Sequence, residues 1–453
     1  MKGKELVETV FKHQKADAVP WVPFAGVHAG KLCGYSAGEL SKDASKLTES
    51  LKEVNRIYKP DGQPVMFDLQ LEAEVLGCKL QWSDTAPPMV SSHPLENSRN
   101  IPDHLPNADE GRIPVALSAM KEMKKAVGDS TALYGLFCGP FTLASHLRGT
   151  AIFMDMIDDP DYVKQLLDFS AAVCRRMADL YEENGMDVLA SVDPLVSQIS
   201  PDHFSEFLSK PYEDIFTYIR EKNLFSSFFV CGDATKNIEV MCKTNPDGIA
   251  IDENIKLVKA KKITDKYNIV IGGNIPLTTV MLFGSQQDNM KYVIDLLDSV
   301  SKENLIISPG CDMPYDVPVE NGIAVEQAVH YKDKTRKMIA HYEHEEEDID
   351  VDLPEYKNLE KPLIEVFTLD SDTCAACTYM YQSAMDAKRE YDTGIDIVEY
   401  KFTDKENIPR FKKMGIKQLP CIYINGELKF SSIIPGREAL NKEIERAMSQ
   451  TGT

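Results

Sequence analysis

Four cysteines stand where sulfur chemistry is possible. Cys231 closes the apolar run "FSSFFVC" and is followed by Gly232 and Asp233; Cys311 follows "NLIISPG". Cys374 and Cys377 form a Cys-x-x-Cys pair in "DSDTCAACTYM". A thiol can ligate a metal, attack an electrophile or exchange with a disulfide, and each role needs the thiolate form. Ten cysteines spread over 453 residues are too dispersed for a disulfide scaffold. The start, "MKGKELVETVFKHQKADAVPW", is charged and helix-periodic, without the apolar stretch of a signal peptide. The cysteines therefore read as reduced thiols, ligands or redox groups, and the expected location is the cytoplasm.

The elements that must position these residues come in a repeating order. Short apolar runs, "VPWVPFAG", "PVMFDLQ", "ALYGLFC", "DVLASVD", "FSSFFVC", "DGIAID", "NIVIGGN" and "NLIISPG", alternate with longer amphipathic segments such as "DYVKQLLDFSAAVCRRMADLYEENG". Runs without polar alternation suit strands buried on both faces of a parallel sheet. Strand then helix, repeated, gives an α/β chain and predicts a (β/α)8 TIM-type barrel over residues 1–342. An open doubly wound sheet is the rival.

A barrel carries its chemistry at the C-terminal strand ends. Read in order, those ends offer His28, Asp68 with Glu72 and Glu74, Cys138, Asp193, Cys231, Asp252 with Glu253, Asn274 and Cys311. Thiols at three strand ends exceed what loop capping needs. Asp68 is a candidate for positioning substrate, although a carboxylate there is as often a cap. His28, Asp193, Asp252 and Asn274 are candidates for the substrate-binding rim. His146 reads as a packed or surface histidine, and His344 as a solvated one.

"HYEHEEEDIDVDLPEYKNLEKP" breaks the periodicity, packs acids together and ends in prolines, so residues 343–360 are expected to be an acidic linker. The net charge of −21 argues against nucleic acid or an anionic membrane as partner. No stretch approaches the ~20 apolar residues of a membrane span.

Residues 361–453 read as strand, turn, Cys-x-x-Cys opening a helix, strand, helix, hairpin and final helix. This order resembles the thioredoxin/glutaredoxin fold. The resemblance implies that Cys374, at a helix N-terminus, is the attacking thiolate, that Cys377 resolves the mixed disulfide, and that Pro420 in "QLPCIYING" faces the pair.

"MFDLQLEAEVLGC", "CGPFTLASHLRG", "SQISPDHFSEFLSKPY", "FFVCGDATKNI", "IGGNIP" and "LIISPGCDMPYDVPVENGIAV" follow one another, one per strand region. Together they resemble the uroporphyrinogen decarboxylase superfamily, and within it the cobamide-dependent methyltransferase branch. The decarboxylase activity is disfavoured, because "FAGVHAGKLCG" lacks the arginines that grip an acidic tetrapyrrole. The methyltransferase branch implies zinc held by His-x-Cys and a distant Cys, activating an acceptor thiol. It also implies a corrinoid brought by a partner protein, since no "DxHxxG" segment is present. Cys231 and Cys311 occupy the two cysteine places, but Phe229 stands in the histidine place.

Three readings stay open at that point. In the first, zinc is kept with Glu72, Glu74 or His28 recruited as a further ligand. In the second, the two thiols are a redox pair that the Cys-x-x-Cys module reduces; in the third, both are buried bystanders. The expected function is methyl transfer between a protein-bound corrinoid and a small thiol or other nucleophile, with a fused redox module. The alternatives are a thiol-disulfide oxidoreductase with the barrel as substrate platform, a decarboxylase-type lyase and a non-catalytic binding protein.

Overall fold

Pro20 and Pro23 flank Trp21, and a proline has no amide hydrogen to give a ladder. That segment closes a ring without becoming a full strand. In a computed structural model, which describes residues 3–343, 351–372, 375–416 and 418–449, Trp21 bridges Ile307 in parallel. The Val22 amide donates to the Ile307 carbonyl at 2.9 Å, and the Ile307 amide to the Pro20 carbonyl at 2.9 Å. On the other side the Asp61 amide donates to the Trp21 carbonyl, also at 2.9 Å.

The ring joined there begins at β1 (Gly62–Pro64). A small antiparallel hairpin, β2 (Leu80–Gln81) and β3 (Met89–Val90), follows outside it. The ring continues with β4 (Ala132–Cys138), β5 (Val188–Val192), β6 (Phe225–Val230), β7 (Gly248–Ile251), β8 (Val270–Gly272) and β9 (Leu305–Ile306). Among the described residues these strands pair in sequence order, and every pairing is parallel. The curled parallel sheet fits a TIM-type barrel. The expected strand "PVMFDLQ" is shifted: pairing ends at Pro64, and Met66 to Leu69 run on as loop.

Period-2 alternation fills the interior. Ala132, Tyr134 and Leu136 of β4, and Val188, Ala190 and Val192 of β5, share one buried cluster with Phe24, Phe67 and Phe229. The opposite face is also buried, as the doubly apolar runs require: Phe228 stacks on Tyr212 of the helix Ser209–Glu221 at 4.0 Å. The N-terminal helix Gly3–Phe11 plugs one end, with Phe11 stacked on Phe225 at 5.0 Å.

His330 ties this closure to the last barrel helix, Val319–His330. Its Nε2 lies 2.8 Å from Asp61 Oδ2, which also accepts the Trp21 amide, and its Nδ1 lies 3.1 Å from Glu326. Burial alone would lower its pKa; the bonds to the two carboxylates outweigh that and raise it from 6.5 to about 9. A folded-state pKa above the unfolded one gives stability that is complete below pH about 6.5 and lost as pH rises through about 9. Roughly 2 kcal/mol is expected to vanish across that window, after allowing for screening of a partly exposed ring. Urea unfolding at pH 6 and pH 9.5 checks this, and His330→Gln should remove most of the difference.

The C-terminal unit, beyond about Glu343, has its own sheet. Its strands are β10 (Leu363–Thr368), β11 (Asp396–Lys401), β12 (Cys421–Ile424) and β13 (Glu427–Ser431), in the order β11-β10-β12-β13. β10 and β11 are parallel; the other two pairings are antiparallel. Ile364, Val366, Ile422 and Ile424 form one core with Met380 and Ala384 of the helix Ala375–Tyr391 and Leu440 and Ile444 of Arg437–Met448. Phe367 and Phe411 pack on the other face. The Leu419–Pro420 peptide bond is cis. Among the described residues no helix is long and apolar enough to cross a membrane.

Candidate functional site

The mouth of the barrel unit is built around sulfur. Cys231 follows the last residue of β6, Cys311 lies in the loop after β9, and their sulfurs are bonded, with Cα atoms 6.0 Å apart. Eighty residues of chain separate them, yet β6 and β9 end at the same rim of the ring. Both side chains are half-buried, so they remain within reach of solvent. Cys138 differs: it is buried at the end of β4, and burial pushes its thiol far above the usual range. The third strand-end thiol is thus a packing residue.

Two positions before Cys231, Phe229 faces the same interior. Its ring centroid lies 4.7 Å from Phe24 and 5.7 Å from Phe67, which are 6.1 Å from each other. An aromatic trio therefore fills the place a nitrogen ligand would take.

Three carboxylates are carried on or packed against residues next to the two cysteines in the chain. Asp312 accepts the Gly26 amide at 2.7 Å, an approach that a side chain at position 26 would block. Loss of water around Asp312 raises its pKa to about 8. Asp252 accepts the Asn254 amide at 2.8 Å and the backbone of Gly232, the residue after Cys231; burial raises it too. Glu253 accepts the Leu277 amide and lies against Gly310, the residue before Cys311. Burial, then the charge of Asp252, raises Glu253 to about 8. Asn274 donates to the carbonyls of Asp252 at 2.9 Å and Ile255 at 2.6 Å, fixing the loop that carries both acids.

A second cluster joins Asp68 to Arg112, a pairing that nothing in local spacing announces. Arg112 Nη1 pairs with Asp68 and its Nε with Glu74 at 2.8 Å. Glu72 accepts the Cys138 amide at 3.2 Å, and burial raises it to about 8. One oxygen of Glu72 and Nη2 of Arg112 are buried with no hydrogen-bond partner.

Other expected rim residues turn out to hold the fold. His28 is fully buried, its Nε2 2.6 Å from the Tyr58 hydroxyl and its Nδ1 3.0 Å from the Tyr315 carbonyl. Burial lowers its pKa to about 4, and both nitrogens are taken. Asp193 is buried and receives the amides of Phe141 and Thr142, the Thr142 hydroxyl and the Tyr212 hydroxyl. Burial raises it, and these four donors hold it at about 6. Both side chains are buried and held by hydrogen bonds within the fold. His146 is buried, in line with a packed histidine, and burial lowers it to about 3.

The implied zinc does not fit these donors. Glu74 is committed to Arg112, Glu72 to the Cys138 amide, and His28 to Tyr58 and Tyr315. Among the described residues no three His, Cys, Asp or Glu side chains are placed to hold a metal ion.

In the C-terminal unit, Cys377 is buried and its sulfur accepts the Leu369 amide at 3.3 Å. Cys374 and His344 lie outside the described residues. Pro420 is buried and directly precedes β12.

Comparison with known proteins adds a lineage. Residues 2–331 match the family model described as uroporphyrinogen decarboxylase (URO-D). A methylcobamide:CoM methyltransferase, MtbA, of Methanosarcina acetivorans is 28% identical over 339 residues, covering 73% of this chain and 98% of that protein. A uroporphyrinogen decarboxylase of Microcystis aeruginosa is 21% identical over 292 residues, covering 62% and 82%. A solved structure titled "methyltransferase from Methanosarcina mazei" shares the fold with a TM-score of 0.66 at 22% identity, covering 74% of this chain and 98% of that one.

Proposed function

Because the chain belongs to the uroporphyrinogen decarboxylase (URO-D) family, we propose that its barrel unit moves a methyl group between a corrinoid, carried by a partner protein, and a small thiol. The observation that carries this reading is the likeness to MtbA along 98% of that protein's length. It exceeds the likeness to the decarboxylase in both identity and coverage. A methylated corrinoid would supply an electrophilic methyl group, cobalt keeping the electron pair of the broken cobalt–carbon bond, and the acceptor thiol must lose its proton as its sulfur bonds to carbon. Zinc is not the agent this donor set supports. Carboxylates held near neutrality can take that proton instead, and Asp312, the residue after Cys311, and Glu253, packed against Gly310, have pKa values raised to about 8. Asp68, oriented by Arg112, is the positioning carboxylate of this reading.

Reduced protein mixed with methylcobalamin and a panel of small thiols is expected to consume the cobalt–methyl absorbance and form a methyl thioether. No protein-dependent transfer to any thiol would end this reading. The rate should climb about tenfold per pH unit below 8 and level off above it, as the base loses its proton. Asp312→Asn should flatten that profile; an unchanged one would remove Asp312 from the mechanism.

The C-terminal unit is proposed to be a thioredoxin-like redox module. Support comes from its sheet, one parallel pairing followed by two antiparallel ones, and from Cys377, the second cysteine of the Cys-x-x-Cys motif, in the first turn of the 17-residue helix Ala375–Tyr391. In this reading Cys374 attacks, Cys377 resolves and Pro420 faces the pair. A second function, thiol-disulfide exchange with the barrel as platform, is favoured by one observation: the mouth cysteines are bonded. Turnover of an insulin-type disulfide substrate that Cys374→Ser abolishes would support it, and the absence of such turnover would remove it.

A further inference from the structure

We propose that Cys231 and Cys311 form a reversible two-electron dithiol–disulfide couple at the barrel mouth. The inference does not depend on the methyl-transfer reading. It starts from geometry: the two sulfurs are bonded across a Cα separation of 6.0 Å, within the usual span of a disulfide. Among the described residues no three His, Cys, Asp or Glu side chains are grouped to hold a metal ion there. Phe229 packs against Phe24 and Phe67 in the nearest inward position, His28 is taken by Tyr58, Glu74 by Arg112, and Glu72 holds the Cys138 amide with one of its two oxygens.

Exposure separates this pair from four other thiols of the unit, while Cys33, half-buried as well, is unbonded. Cys78, Cys138, Cys174 and Cys242 are buried and unbonded, and burial raises the pKa of each. Cys138 and Cys174 are close, with Cys174 Sγ 3.2 Å from the Cys138 carbonyl, yet they remain thiols. A buried thiol is inert because an attacking reagent cannot reach it and its thiolate is disfavoured. The half-buried mouth pair is free of the first restriction.

The reducing partner is a dithiol of the Cys-x-x-Cys class or a small dithiol. Its thiolate attacks one sulfur of the Cys231–Cys311 bond, forming a mixed disulfide and releasing the other cysteine as thiolate. The partner's second thiol then attacks the mixed disulfide. The barrel leaves with two thiols, having gained two electrons and two protons, and the partner leaves as a disulfide. Oxidation is the same exchange run backwards by a disulfide reagent.

The test uses the full chain carrying Cys374→Ser and Cys377→Ser, equilibrated with mixtures of reduced and oxidised dithiothreitol. After acid quenching and maleimide labelling, peptide masses report each cysteine. Labels at Cys231 and Cys311 are expected to change together in one two-electron step, with the same midpoint from either direction. If that variant fails to fold, the same two peptides are followed in the unaltered chain. In Cys231→Ser, Cys311 should lose the cooperative step. Full labelling of both cysteines at every ratio would overturn the proposal. So would uptake of one zinc per chain by the reduced protein that blocks labelling. Methyl transfer is assayed separately with methylcobalamin, so failure of one reading does not decide the other.

Discussion

Phe229→His is expected to turn the reduced chain into one that binds one zinc per molecule. Phe229 lies two residues before Cys231 on β6, so both face the barrel interior, and Cys231 already meets Cys311 there. An imidazole at 229 would add the nitrogen that completes a three-ligand set with an open fourth position. If a four-ligand zinc site yields on the order of 12 kcal/mol, one ligand is worth ~3 kcal/mol, or about a hundredfold in affinity. The substitution should also weaken the metal-free fold. It takes an aromatic ring from contact with Phe24 and Phe67 and buries a polar one, a loss of about 3 kcal/mol. Melting should therefore fall without zinc and recover with it. Zinc also needs both thiolates, so the bound metal should protect the pair from oxidation. Metal analysis of reduced protein, with and without the substitution, checks the prediction. Equal zinc in both would mean that the residue two before Cys231 does not address the sulfur pair.

How much of this was legible in the sequence varies residue by residue. The apolar runs located the strands because a parallel barrel buries both strand faces, and burial on two sides leaves its mark on every residue. Trp21 marks the limit: its flanking prolines cancel amide donors, so the closing segment makes a bridge where the run predicted a strand. At β1 the ladder ends at Pro64, ahead of the run's apolar residues, and Phe67 is apolar because it packs in the barrel interior and not because it pairs in the sheet.

The site was legible where local position decides it. Cys231 and Cys311 follow strands that end at one rim, and that much follows from strand order. What sequence could not show is which polar groups are already occupied. Arg112 reaches Asp68 from 44 residues away, and Tyr58 reaches His28 from 30. Asp312 gains its raised pKa from surroundings that Gly26 lets close in. Each of these depends on contacts made only after folding, so spacing carries no trace of them. The one local hint was the carboxylate directly after Cys311, and it lies within a motif whose sulfur drew the attention.

Asp193 gives the sharpest separation between a residue that serves the fold and one that serves a ligand. It stands one residue past β5 and accepts four donors from two helices: the Phe141 and Thr142 amides at 2.9 and 3.0 Å, and the Thr142 and Tyr212 hydroxyls at 2.6 Å each. The first two are unpaired amides at the start of the helix Pro140–Arg148, so the carboxylate acts as a cap delivered from another element. Gly139 makes room for it, because a side chain there would collide with Asp193. Asp193→Ala would leave all four donors buried and unanswered. A loss of about 4 kcal/mol is expected, well below the sum of four separate penalties because the donors would relax together. In a chain of this size that corresponds to a fall in melting temperature of roughly 5 °C. Asp193→Asn should cost about half as much, since one oxygen still accepts while the new amide opposes a donor. A substrate-binding Asp193 predicts the reverse: melting unchanged and KM raised. Thermal melts of both variants, beside their methylcobalamin kinetics, distinguish the two, and the four occupied acceptor positions favour the structural role.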